Sequence, residues 1–163
     1  MLFACQTLNI QKLYGNTLPP SRTNLLGLNN ITDEGLKYLA TALEENQSAL
    51  NALYLGTNRI SALGAAYLAR ALEKNQFLQC IGLESNNIGD EGAEHFAAAL
   101  LHNNTLESLD ISTNKISSIG TQALAKALKV NTSLTSLNLR YNNISEIKKA
   151  ELKENFGNRI ILD

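Results

Sequence analysis

Leu50-Asn51-Ala52-Leu53-Tyr54-Leu55-Gly56-Thr57-Asn58-Arg59-Ile60 is the stretch that decides the fold. Leu53 and Leu55 stand two residues apart, which puts both side chains on one face of a short strand, and Asn58 and Ile60 follow at a fixed offset. The frame recurs along the chain. Asn29, Asn58, Asn86, Asn114 and Asn142 are spaced by 29, 28, 28 and 28 residues, and each is followed two positions later by Ile31, Ile60, Ile88, Ile116 or Ile144. A period of this length belongs to one supersecondary unit stacked on itself, so the chain reads as a solenoid.

The second half of each unit changes period. Leu68-Ala69-Leu72, Phe96-Ala97-Leu100 and Leu124-Ala125-Leu128 follow helical spacing, so a unit is strand, turn, helix, turn. Thr32, Ser61, Ser117 and Ser145 stand at the expected helix starts, where a hydroxyl accepts from an unpaired amide, and the third unit has Gly89 with Asp90 and Glu91 behind it. Asn46, Asn75, Asn103 and Asn131 follow the last helical leucine, where asparagine suits a left-handed closing residue. Gly35, Gly64, Gly92 and Gly120 form a column in the first helical turn, where a missing side chain allows close packing.

The pattern LxxLxLxxNxI with a helical second half resembles the ribonuclease-inhibitor-like subfamily of leucine-rich repeats, and the resemblance covers about residues 24 to 163. It implies an α/β horseshoe of about five repeats, with parallel strands on the concave side, helices on the convex side, and the asparagines as a buried ladder between repeats. The ladder is physically sensible, since a turn out of a strand leaves peptide groups unpaired and an amide both donates and accepts. Residues 1–23, with Pro19-Pro20, are expected to form a truncated N-terminal cap. Residues 24–163 form the repeat domain, with a capping repeat from about residue 134. In that last unit Lys148 and Lys153 stand one period after Gly120 and Ala125. The charged stretch Lys148, Lys149, Glu151, Lys153, Glu154 therefore faces solvent on the free side, while Leu152 and Phe156 point inward and Arg159 to Leu162 begin a closing strand.

Composition excludes several classes of function. The formal net charge is −1 from 14 basic and 15 acidic residues, so no whole-molecule field draws the chain to nucleic acid or an anionic bilayer. Cys5 and Cys80 lie in different units and argue against a disulfide framework. No apolar run reaches the roughly 18 residues of a membrane span, and no signal peptide is expected. His95 and His102 lack an accompanying cysteine or acid at metal-ligand spacing, and Cys80 has no basic neighbour to activate it, so neither metal, cofactor nor enzymatic chemistry is expected.

What varies between units is the outward strand positions: Ala52, Tyr54, Gly56; Cys80, Gly82, Glu84; Ser108, Asp110, Ser112; Ser136, Asn138, Arg140. Thr57, Ser85, Thr113 and Tyr141 continue the row onto the rising loops. Tyr54, Glu84, Asp110, Asn138, Arg140 and Tyr141 are the expected partner-binding residues, since tyrosine and arginine combine contact area with directional polar groups. The sequence therefore reads as a non-enzymatic, monomeric platform that binds a protein on its concave face. Its repeats are similar to those of effectors delivered by intracellular bacteria and of NOD-like receptors, which implies a cytoplasmic protein or one secreted into a host cell without a cleaved signal. The alternative is an enzyme regulator, similar to ribonuclease inhibitors or GTPase-activating proteins.

Overall fold

The computed structural model describes residues 23–45 and 50–163. Among these residues six short strands alternate with five helices: β1 (Thr23–Leu25), α1 (Asp33–Glu44), β2 (Ala52–Tyr54), α2 (Ala62–Lys74), β3 (Cys80–Gly82), α3 (Gly89–Leu100), β4 (Ser108–Asp110), α4 (Ser118–Leu128), β5 (Ser136–Asn138), α5 (Glu146–Phe156) and β6 (Ile160–Ile161), the last entered through a 3₁₀ turn, Gly157–Arg159. All strands are parallel and lie in chain order, as a stack of identical units requires. The expected N-terminal cap, Cys5 and Asn46 lie outside the described residues, except that Thr23 opens β1.

Leucines and isoleucines at the inward positions of β2 to β6, with Leu26 following β1, meet the inner faces of the helices in one continuous core, from Leu26 to Leu162. Leu53, Leu55, Leu83, Leu109, Ile111, Leu137 and Leu139 are fully buried, and Phe96 is the largest side chain enclosed. Each such burial is worth about 1.5–3 kcal/mol, so the repeated column carries most of the stability.

The asparagines after the strands join neighbouring units. Asn86 Nδ2 donates to the carbonyls of Leu55 (3.0 Å) and Leu83 (3.0 Å), and its Oδ1 accepts from the Ile60 amide (3.0 Å). Asn58, Asn114 and Asn142 make the same kinds of bond, to Leu26, Leu83 and Ile111 of the preceding unit. Asn29 donates only within its own turn among the described residues.

A second asparagine column corrects the expectation for the helix ends. Asn75 has φ −75°, and neither Asn103 nor Asn131 is left-handed. They are buried and carry a further ladder: Asn131 Nδ2 donates to Leu100 O and Asn103 O (both 2.8 Å), and Asn131 Oδ1 accepts from Leu134 N (2.9 Å). One period on stands Arg159, whose guanidinium donates to Leu128 O (2.8 Å), Leu134 O (2.5 Å) and Asn131 O, so an arginine closes the column that asparagines build.

Two aspartates cap the helix of the following unit. Asp33 accepts from Ser61 Oγ (2.6 Å), Ser61 N (2.8 Å) and Gly64 N (3.0 Å). Asp90 accepts from Ser117 Oγ (2.7 Å), Ser117 N (2.7 Å) and Gly120 N (3.0 Å), so beyond standing in the first turn of its own helix it serves the helix of the next unit. Desolvation pushes the Asp90 carboxyl up, but the bonds from Ser117 and Gly120 together outweigh it and hold it below its ordinary value. Ser61, Ser117 and Ser145 also cap their own helices through the hydroxyl, whereas Thr32 does not.

At the last unit the stacking changes. Lys148 occupies the glycine column, and α5 lies closer to the 3₁₀ turn and β6 than to α4. Lys148, also expected on the free face, instead lies partly buried against α4, its Nζ reaching Gln122 (2.5 Å) and Glu151 (2.6 Å). Lys149, expected on the free face, is instead buried and paired with Glu146 (2.9 Å) and Asp163 (3.3 Å). The long alkyl stem covers apolar surface while the ammonium meets carboxylates.

Candidate functional site

The outward side of the sheet is built on a floor of small residues. Ala52, Gly56, Gly82 and Ser112 are buried, the two glycines beneath Glu84 and Tyr54; the expectation that all outward positions are open fails here. Register sets Leu25, Tyr54, Gly82, Asp110, Asn138 and Ile161 side by side in one row. Adjacent strands lie about 4.8 Å apart, so the row places near neighbours that are distant in sequence.

Tyr54 is 39% exposed and leans over Gly82: a Cβ there would stand 2.8 Å from Tyr54 Cδ1 and 3.1 Å from Glu84 Oε2. Glu84 leans the other way, so that a Cβ at Gly56 would collide with its carboxylate. The ring and the carboxylate thus lie side by side across β2 and β3, each occupying space that a glycine leaves open. Two glycines are needed because any side chain would displace them. Among the described residues Glu84 makes no ion pair.

Asp110 is half-buried and fully engaged. Its Oδ1 accepts from Ser112 N (2.9 Å) and Ser112 Oγ (2.6 Å), and its Oδ2 accepts from Asn138 Nδ2 (2.8 Å). Asn138 Oδ1 in turn accepts from the Arg140 amide (3.2 Å). These two residues make a braced bridge between β4 and β5 rather than free arms. The Arg140 side chain is exposed and makes no ion pair among the described residues, and the nearby Asp163 carboxylate is taken by Lys149. Tyr141 stands 70% exposed on the rising loop at φ +56°.

That left-handed φ is shared by Leu28, Thr57, Ser85 and Thr113, all at the same offset and none a glycine. Each is fixed by its amide bonding to the next unit, as in Thr57 N to Glu84 O (2.7 Å) and Thr113 N to Arg140 O (2.9 Å). The repeat overrides a local cost of about 1–2 kcal/mol per residue.

A polar row that sequence reading passed over lines the opposite edge of the strands. Asn51 Nδ2 donates to Gln79 Oε1 (2.9 Å) and Gln79 Nε2 to Glu107 Oε1 (3.1 Å), one residue per unit. Their 28-residue spacing was the available signal. Cys80 sits beside it half-buried; burial first, then the Glu107 charge, push its thiol up, so it is a poor nucleophile. His95 and His102 are exposed on or just after α3, and no group of three or more His, Cys, Asp or Glu among the described residues is placed to hold a metal. No helix among them is long and apolar enough to cross a membrane.

A sequence profile described as Leucine Rich repeat matches residues 26–40, 74–97, 102–125 and 130–146. No curated protein matches the chain. Among solved structures, one described as Leiomodin-1 Actin-Binding Site 2 is similar over 98% of this chain and 89% of its own, with a TM-score of 0.76 at 25% sequence identity.

Proposed function

Given that the chain is a leucine-rich-repeat solenoid, we propose that it is a non-enzymatic platform that holds a partner protein on its concave face. The observation that carries this reading is the contrast within each strand. Inward residues are buried and repeat, whereas Tyr54, Glu84 and Arg140 differ from unit to unit and leave their polar groups unused by ion pairs among the described residues. A rigid floor lowers the entropic cost of binding, because few side chains must be ordered when a partner arrives. The likeness of the repeats to those of bacterial effectors supports, within this reading, action inside a host cell.

Affinity capture from cell lysate with the native chain beside a Tyr54→Ala, Glu84→Ala, Arg140→Ala triple variant tests the site. Asp110 is left in place because it braces Asn138 and Ser112. Proteins recovered by the native chain and lost by the variant identify the ligand; equal recovery moves binding to the helices or loops. A narrower reading, that the partner is actin, is supported by the full-length likeness to the leiomodin domain. Co-sedimentation with filamentous actin and gel filtration with monomeric actin decide it, and no retention by either form sinks it.

A further inference from the structure

The concave strip is electrically two-ended, and that polarity specifies its partner. At the β2–β3 end the Glu84 carboxylate lies half-buried against the Tyr54 ring, over Gly56 and Gly82, with no cation paired to it among the described residues. An unpaired carboxylate beside an aromatic ring is a receptor for a cation, which gains a charge-assisted bond from the one and a cation–ring contact from the other. Asp110, the other acid of the strip, is already satisfied by Ser112 and Asn138 and does not compete for that cation. At the β5 end the sign reverses: the Arg140 guanidinium stands exposed, and the carboxylate nearest in register, Asp163, belongs to Lys149.

We propose that the strip takes an extended protein segment presenting a lysine or arginine to Tyr54 and Glu84 and an aspartate or glutamate to Arg140, the two about 10 Å apart because two strand steps separate β3 from β5. In an extended chain of the polyproline II type, which rises about 3.1 Å per residue and turns once in about three residues, that distance is about three residues with both side chains on the same side, so the motif is one basic and one acidic residue with two others between. Nucleic acid does not fit, because the strip offers one unpaired cation next to an unpaired anion. This inference rests on the concave-face reading and adds the charge pattern of the ligand.

Selection of a random linear peptide library on the native chain tests it, with the selected peptides measured by fluorescence anisotropy against Glu84→Gln, Arg140→Gln and Tyr54→Ala. These are surface changes, and unchanged urea midpoints verify that each variant is folded. The expected peptides carry a basic and an acidic residue three apart and bind each Gln variant about tenfold more weakly, as losing one charge-assisted contact implies. Removing the basic residue of the peptide should weaken binding to the native chain but leave binding to Glu84→Gln nearly unchanged, which assigns the pairing. Peptides without the charge pair that are still lost on Tyr54→Ala overturn the proposed pattern and leave the platform reading standing. Peptides indifferent to all three substitutions, or a library that yields no binder, overturn both.

Discussion

Asn86 shows how one side chain ties two units together. It satisfies Leu55 O, Leu83 O and Ile60 N in a buried place, so removing its amide leaves buried peptide groups unpaired. Asn86→Ala should cost about 1–3 kcal/mol, read as a lower urea midpoint, and an unchanged midpoint would refute the ladder. Asn29→Ala should cost less, because Asn29 bonds only within its own exposed turn among the described residues. The first ladder was legible because residue type and period agree at every step. The second was legible only as a column: asparagine suits both a left-handed cap and a bridging amide, and period alone does not choose between them. Arg159 was hidden altogether, since the residue type changes where the period holds.

Among elements, the glycine column decides how closely helices stack. A Cβ at Gly120 would stand 2.7 Å from Asp90 Oδ1 and 3.0 Å from both Ala93 Cβ and Asp90 Cα, whereas at Gly35 its nearest contact is Ile31 Cγ2 at 3.4 Å. Alanine gains about 1 kcal/mol of helix propensity at either site, but overpacking costs about 1–3 kcal/mol where there is no room. Gly120→Ala should therefore lower the denaturation midpoint and Gly35→Ala should hold or raise it. Where Lys148 fills the column, α5 packs less closely on α4 than the earlier helices pack on one another; the broken period was visible in sequence, but that loosening and the inward-folding Lys149 were not. The Asp90 cap adds a pH dependence. Because the folded carboxyl titrates below the unfolded one, the unfolded chain binds more protons between the two values, and stability falls as pH drops through that interval. The midpoint difference between native chain and Asp90→Ala should be widest above the ordinary carboxyl value of 3.8 and narrow as pH falls below it. A gap independent of pH would show that the carboxylate charge contributes nothing.

At the scale of the molecule, each unit contacts its neighbours only, so stability is a sum of units and interfaces and the ends open first. The fold and the strand face were legible because a repeated pattern averages away local ambiguity. The shape of the proposed site was not, because it depends on how Tyr54 and Glu84 lean across glycines of adjacent strands and on whether Asp110 is free or braced. Neither fact is periodic. Arg159 tests the same logic at the C-terminal end of the described stack. It donates to Leu128, Asn131 and Leu134 carbonyls, the first two at the offsets that Asn131 uses toward Leu100 and Asn103, and burial pushes its guanidinium down from its ordinary value without discharging it. Arg159→Ala leaves three carbonyls without that donor and should cost about 2–3 kcal/mol, with hydrogen-exchange protection lost first in α5 and β6 and kept in α2 and α3. Arg159→Asn restores the residue that the column uses elsewhere and should recover part of the loss. If the arginine acted only as a surface charge, both variants would match the native chain. If it held the whole solenoid together, protection would fall uniformly from α2 to α5, and the nearest-neighbour description would be wrong.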